Sequence, residues 1–259
     1  MKKVLLPLAV VAALIGVWEV LAQTGALAEL LGIRESVSDV IVPAPSDVAQ
    51  ALWDDREILI ENGWITLQEM LGGLAIAFAL GAGFAIALHL SETLRRAFYP
   101  ILVASQTIPI VAIAAVLVIW LGFGIGPKLA VVALICFFPI TVNMLDGLRS
   151  VDESAVRMMR TLDGSRWVVL RRLELPSSMP QFFSGAKIAV AIAPIGAVLG
   201  EFVGANGGLG YLITQANANL LTARVFASIV VLSAFALTLF LLIVVAERTL
   251  APWDRKELR

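Results

Sequence analysis

Six apolar stretches, each long enough to cross a lipid bilayer, punctuate this chain at about residues 4–22, 65–90, 98–121, 128–148, 184–204 and 225–246. A helix needs about 20 mostly apolar residues to cross the hydrocarbon core. The pattern therefore predicts an all-α, polytopic membrane protein with about six transmembrane helices, one membrane domain covering residues 1–259. Composition agrees: 59% of the residues are hydrophobic and only 15% charged, far too few charges for a soluble domain of this size. A formal net charge of −1 argues against nucleic acid as a partner. The single cysteine, Cys136, lies in an apolar run, so no intrachain disulfide forms, and the single histidine, His89, excludes a histidine cluster for metal.

The N-terminus imitates a secretory leader. Lys2 and Lys3 precede an apolar run from Val4 to Val17, and small residues follow at Ala22, Ala26 and Ala28. The run continues through Trp18 to Leu21, so the expectation is an uncleaved first span. Lysine and arginine placement then sets direction. With a cytoplasmic N-terminus, fifteen of the nineteen basic residues fall on the inner side, and only Arg34, Arg56, Lys128 and Arg224 fall outside. Both termini and the loop at about 149–183 are then cytoplasmic. The acidic loop from Gln23 to Trp64 lies outside, with Ser46 or Asp47 placed to cap a short helix running through Trp53.

In the second span Gly73, Ala77, Gly81 and Ala85 recur every four residues, so they share one helix face. Small residues at that spacing admit another helix at close range, for packing within the subunit or as a face that slides. Three glycines before a lysine, Gly122, Gly124 and Gly126 ahead of Lys128, read as a turn between spans.

The 149–183 loop is the longest polar interruption in the second half. Ser150 and Glu153 have capping-box spacing, which predicts a helix from about Val151. Val151, Ala155, Met158, Met159 and Leu162 form an apolar stripe at helical period, with Asp152, Glu153, Arg157 and Arg160 off it. Gly164 is placed to end that helix in a left-handed turn, and Ser165 to cap a second helix ending before Pro176. An arginine-rich amphipathic pair of this kind suits two roles: gripping a partner protein at the membrane surface, or resting on lipid headgroups.

Polar groups inside spans are costly and face the interior or water. Ser105, Gln106 and Thr107 precede Pro109, which removes a backbone donor and is placed to kink the third span. They are candidates to line a conduit or to hydrogen-bond between helices. Asn143 in the fourth span carries the same pair of readings. Glu201, near the outer end of the fifth span after Pro194, Gly196 and Gly200, suits an outer gate, a substrate contact, or an interfacial carboxylate held by backbone near Asn206. His89 reads as a solvated residue at the inner end of the second span, and Glu19 as reaching toward outer headgroups. No GxxxxGK[ST] phosphate loop occurs. With one histidine, no GxSxG motif or Ser-His pair and no paired metal carboxylates, an intramembrane hydrolase is a remote reading.

The run Arg160–Trp167, followed by Leu173–Pro176 and Pro180, resembles the EAA loop of binding-protein-dependent ABC importer permeases. The likeness extends over most of the chain, through Leu121–Gly124, Phe137–Ile140, Asp146–Asp152 and Gly207–Ile213. The resemblance implies the type I ABC importer permease fold and a transport subunit that is not an enzyme. It implies a bacterial inner-membrane location, a second permease copy in a homodimer, cytoplasmic ATPase subunits carrying ATP-Mg, and an extracytoplasmic substrate-binding protein. It assigns ATPase coupling to Arg157, Met158, Met159, Arg160, Thr161, Leu162, Asp163, Gly164, Ser165 and Arg166. Two departures stand out: the family's Glu-Ala-Ala falls on Arg157, Met158 and Met159, and its glycine falls on Asp163. Within the family, Ser105–Pro109, Asp146–Leu148, Met159–Leu162 and Ile195–Phe202 are most similar to hydroxymethylpyrimidine (thiamine-precursor) permeases. Sulfonate, taurine, nitrate and riboflavin are the other cargoes the resemblance implies. An ion-coupled carrier is the remote alternative; it would want a network of membrane carboxylates, histidines or broken helices, for which this reading offers only Glu19, Glu201 and His89, all near span ends.

Overall fold

The computed structural model describes residues 2–26, 42–162 and 164–253. Asp163, Arg34 and the basic residues at 255–259 thus lie outside the described residues. All regular structure among the described residues is helical: α1 (Lys2–Gln23), α2 (Pro45–Asp54), α3 (Arg56–Leu90), α4 (Glu92–Ser105), α5 (Ile110–Leu121), α6 (Ile125–Arg149), α7 (Glu153–Thr161), α8 (Arg166–Phe202), α9 (Leu209–Ala218) and α10 (Thr222–Leu250). The chain divides into two compact units, one of residues 1–65 and 206–232, the other of residues 66–205 and 233–259.

In the first unit, Glu19 of α1 holds the start of α2, taking hydrogen bonds from the Ser46 backbone N–H (3.0 Å) and hydroxyl (2.7 Å). This corrects the expectation that Glu19 reaches for headgroups: its carboxylate satisfies an orphan donor of a helix N-terminus instead. Asp47 caps as expected but from inside the helix, accepting from the Ala44 N–H at 2.9 Å. The start of α9 is fixed by Gly208, whose φ of 112° suits glycine and whose N–H donates to Asn62 Oδ1 at 2.9 Å. Arg224 grips Asp55 with two parallel bonds, Nε to Oδ2 at 2.7 Å and Nη2 to Oδ1 at 2.6 Å.

The second unit is built around α3, α6 and α8. Its core joins Met70, Leu74 and Ala77 of α3, Val132, Cys136 and Ile140 of α6, and Ala189, Val190, Ala193 and Ala197 of α8. The four-residue spacing on α3 serves packing within the subunit. A Cβ on Gly73 would sit 2.4 Å from Val132 Cβ, and one on Gly81 2.9 Å from Ile140 Cγ2. The same device brings α6 against α8: a Cβ on Gly185 would meet the Pro139 carbonyl at 2.5 Å, and one on Gly196 would meet Val132 Cα at 2.9 Å. Backbones approach this closely only where one partner lacks a side chain.

Four helices, α3, α6, α8 and α10, are long and apolar enough to cross a membrane. The third expected span is not a single helix: α4 and α5 meet at a bend of 102°. Pro109 offers no N–H and biases Ile108 away from helical geometry, so the helix stops at Ser105. The freed carbonyls at the end of α4 find local donors. The Ser105 hydroxyl donates to Leu102 O at 2.7 Å, and the Thr107 hydroxyl to Ala104 O at 2.8 Å. Gly122 (φ 75°) and Gly124 (φ 128°) make the expected turn into α6.

Candidate functional site

Two polar regions of the second unit are built very differently. The first is the segment from Ser150 to Glu174. Its helix starts later than expected: Asp152, not Ser150, is the cap, its carboxylate accepting from the Ser154 N–H at 2.8 Å. That bond holds the Asp152 carboxyl below the usual carboxylate range. Ser150 instead turns its hydroxyl back to Gly147 O at 2.8 Å, helping to close α6. At the other end, the Gly164 N–H donates to Met159 O at 3.1 Å, the six-to-one bond that closes many helix C-termini. Gly164 is not left-handed; it is needed because a Cβ there would lie 2.6 Å from that same Met159 oxygen.

The apolar stripe splits into two. Val151, Ala155 and Met159, four residues apart, are half-buried against the protein. Met158 and Leu162, also four apart, point outward at 65% and 74% exposure, beside Trp167 at 62%. None of the nine residues of α7 is buried. Arg157 is exposed and makes only a 3.7 Å pair with Glu153; Arg160, Thr161 and Ser165 are exposed too.

The second short helix does not end before Pro176. It runs on through a π turn at Leu170–Glu174 into the long apolar part of α8. The wider π turn accommodates Pro176, which lacks an N–H and whose ring would press on the carbonyl four residues back in an unbroken α-helix. Glu174, in that turn, lies 2.9 Å from His89 Nε2, with both side chains largely buried (15% and 13% exposed). His89 is therefore not the solvated residue its position at a span end implied. Arg166, though exposed, also reaches α3: its Nη2 donates to the carbonyl of Leu90 at the end of that helix.

The second region is a buried charge cluster. Lys128 Nζ donates to Glu69 Oε1 at 2.6 Å, with the glutamate side chain 1% exposed and the lysine 10%. Glu201, 2% exposed, accepts from the Thr66 hydroxyl at 2.6 Å and lies within electrostatic reach of Glu69. Glu201 is thus a buried carboxylate rather than an interfacial one. Glu69 was missed by the sequence reading: it sits in an apolar helix, and its partner is 59 residues away. Lys128, read as an outer-loop charge, belongs to this cluster. Lys187 is paired in the same way, bonding Glu247 at 2.8 Å.

The remaining candidates are placed singly. Ser105, Gln106 and Thr107 lie at the break between α4 and α5 and bond locally: the Ser105 and Thr107 hydroxyls donate to carbonyls of α4, and the Gln106 side-chain amide donates to Ser105 Oγ. They line a recess of about 340 Å³ together with Ile110, Ile113 and Leu134. Asn143 donates to Pro139 O at 2.7 Å within α6. The bonds of these four are local, whereas Glu201 accepts from Thr66 across the fold.

Comparison with known proteins adds a family. The family described as "Binding-protein-dependent transport system inner membrane component" matches residues 77–253. A "Probable ABC transporter permease protein" of Haemophilus influenzae is 37% identical over 238 residues, 92% of this chain and 93% of that protein. The "Formylaminopyrimidine transport permease protein ThiX" of Halalkalibacterium halodurans is 38% identical, covering 84% and 87%. The "Riboflavin transport system permease protein RibX" of Chloroflexus aurantiacus is 37% identical, covering 83% and 81%. Among solved structures, one described as "Crystal structure of an amino acid ABC transporter with histidines" superimposes with a TM-score of 0.60 at 12% identity, over 80% of this chain and 97% of that one.

Proposed function

Because this chain belongs to the family of binding-protein-dependent transport system inner membrane components, and is a permease subunit of an ABC importer rather than an enzyme, we propose that it forms the path for a thiamine precursor of the hydroxymethylpyrimidine type. ATP is hydrolysed by separate subunits that dock on the 149–183 segment. The observation that carries the docking reading is the outward pair Met158 and Leu162, joined by Trp167, on a helix that buries none of its own residues. Apolar side chains left open on so short a helix are a ready-made partner surface. The Arg157-Met158-Met159 run supplies flexible thioether contacts where the family carries Glu-Ala-Ala, so docking here rests on apolar contact and arginine charge.

The remaining parts follow from the family and from charge placement. Two copies pair around a shared path, with both termini cytoplasmic by the lysine and arginine bias. A receptor outside the cell delivers the cargo. ATP and the loaded receptor must both favour the outward-facing state, since a ligand shifts an equilibrium only by its differential affinity. Ser105, Gln106, Thr107, Asn143 and Glu201 remain the candidates for the path, the first three because they face an open recess.

The pyrimidine cargo is supported by the ThiX relative at 38% identity, against 27% for the "Putative aliphatic sulfonates transport permease protein SsuC" of Bacillus subtilis and 28% for the "Taurine transport system permease protein TauC" of Escherichia coli. Charge pairing supports it too. Lys128, Lys187 and Arg224 are each neutralised by a carboxylate of the same chain, which makes them poor seats for a sulfonate or nitrate. Riboflavin is the second reading, favoured by the RibX relative at 37%. Vesicles holding the permease with its ATPase and receptor are expected to take up radiolabelled hydroxymethylpyrimidine only with ATP inside the ATPase compartment. Riboflavin uptake with no pyrimidine uptake would overturn the cargo. Uphill uptake by the permease alone, driven by a proton gradient, would overturn the class.

A further inference from the structure

We propose that His89 and Leu90, the last two residues of α3, are the grip by which the docking segment drives α3, with His89 and Glu174 as positioning residues of the transport stroke. The inference rests on the reading that α7 and the start of α8 receive the ATPase. By chain connection alone, α7 is joined to α6 and α8. A force applied to it reaches α3 through the packing of α6 and α8 against that helix, and two side-chain bonds add a direct link that converges on consecutive residues. Arg166 donates to the Leu90 carbonyl, and His89 pairs with Glu174 at 2.9 Å. In this bond the ring Nε2 serves as donor when the Glu174 carboxylate is the acceptor.

Three features make this a mechanical joint rather than a chance contact. First, the pair is shielded from water, at 15% and 13% exposure, so water competes less for this bond than for one at the surface. Second, Glu174 closes the π turn at Leu170–Glu174, where the Leu175 N–H reaches back to Leu170 O. Single π turns inside α-helices recur at functional sites, and the extra residue re-aims the side chains that follow. Third, Leu170 of the same turn is 1% exposed and packed with Ala85 and Leu88 of α3 and with Leu145 and Leu148 of α6. The turn is thus seated on α3 by apolar packing and keyed to it by the His89–Glu174 bond. From His89, α3 runs 20 residues to Glu69, roughly 30 Å at the rise of an α-helix, and there it is bonded to Lys128 on α6. A stiff helix held at one end by the His89–Glu174 bond and at the other by the Glu69–Lys128 ion pair carries a displacement along its length.

The test needs no knowledge of the cargo. Gln68, exposed and adjacent to Glu69, is replaced by cysteine; native Cys136 is fully buried. In the permease–ATPase complex, the rate of labelling of Gln68→Cys by a membrane-impermeant maleimide is compared with and without ATP plus vanadate. The parent is expected to change about fivefold or more, the low end of ordinary coupling. In the His89→Ala background the ATPase still co-purifies, but the response falls below about twofold. Glu174→Ala gives the same loss, and the double variant is no worse than either single, as for two halves of one bond. His89→Gln, which keeps a donor, restores most of the response. The proposal is overturned if His89→Ala responds like the parent, if it loses the ATPase, or if the two losses multiply. Should His89→Ala fail to fold, His89→Gln decides alone: a folded variant without the response overturns it. A parent complex that binds ATPase yet ignores ATP and vanadate sinks the docking reading itself, independently of His89.

Discussion

The two polar regions of the second unit solve opposite problems. Around Glu69, Lys128, Thr66 and Glu201 the charges are buried and bonded within the chain. Around α7 the polar and apolar groups alike are left open, with Met158, Leu162 and Trp167 in solvent. The contrast separates what holds the subunit together from what it offers to others. A buried charge that loses its partner is expensive everywhere, whereas an exposed apolar residue matters only when something covers it.

Four substitutions test that contrast, starting with the largest expected effect. Lys128→Met leaves Glu69 buried and unpaired, and should cost about 3–5 kcal/mol, read as a lower unfolding temperature in detergent. The double variant Glu69→Gln with Lys128→Met should recover most of that loss. A Lys128→Met protein as stable as the parent would remove the cluster from any structural role. Next, Leu162→Glu should leave the unfolding temperature unchanged but weaken ATPase co-purification about tenfold, the cost of truncating one good interface residue. Deleting Met158–Gly164 should abolish co-purification. If the ATPase still binds the deleted form, α7 is not its seat. Third, Glu201→Gln keeps the hydrogen bond from Thr66 but removes the charge, so assembly should persist while uptake falls severalfold; unaltered uptake would confine Glu201 to structure. The smallest effect belongs to Asp152→Ala, which removes the cap of α7. Amide hydrogens of 153–161 should exchange faster, with Asp152→Asn close to the parent because asparagine caps as well. The Asp152 carboxyl is lowered in the folded state, so its contribution is present above its ordinary value, near 3.9, and is lost only as pH falls through the lower folded value. The cap is therefore constant near neutral pH.

Much of this arrangement is legible in the residue order, and the exceptions have physical causes. Long apolar runs sort into membrane-length helices because lipid offers a backbone no other partner, and α3, α6, α8 and α10 fall where the runs do. The small-residue face on α3 is local information and finds its helix in α6. Proline is read less reliably. Pro109 does break its span, but the size of the bend depends on what receives the freed carbonyls, here the hydroxyls of Ser105 and Thr107. Pro176 does not break α8, because a π turn relieves the clash that the rule assumes. Pairings across the fold are not local information at all. Glu69 with Lys128, His89 with Glu174 and Lys187 with Glu247 join residues 59 to 85 positions apart. Each was visible only as a lone charged or titratable side chain, and the sequence reading placed Lys128 and His89 in solvent. The coupling segment was found by its period, while its division into inward and outward faces needed the neighbouring helices.

The right-angled joint between α4 and α5 has a consequence for the surrounding lipid. At 14 and 12 residues the two arms are only about 21 and 18 Å long, each shorter than the hydrophobic slab they occupy. Ile119 and Trp120 are exposed; a bilayer meeting them across arms this short would have to thin, at a cost that grows with every methylene added to its acyl chains. The turnover of this permease should accordingly fall in membranes of long-chain lipid and rise in short-chain ones, a dependence that a straight helix in the same position would not impose.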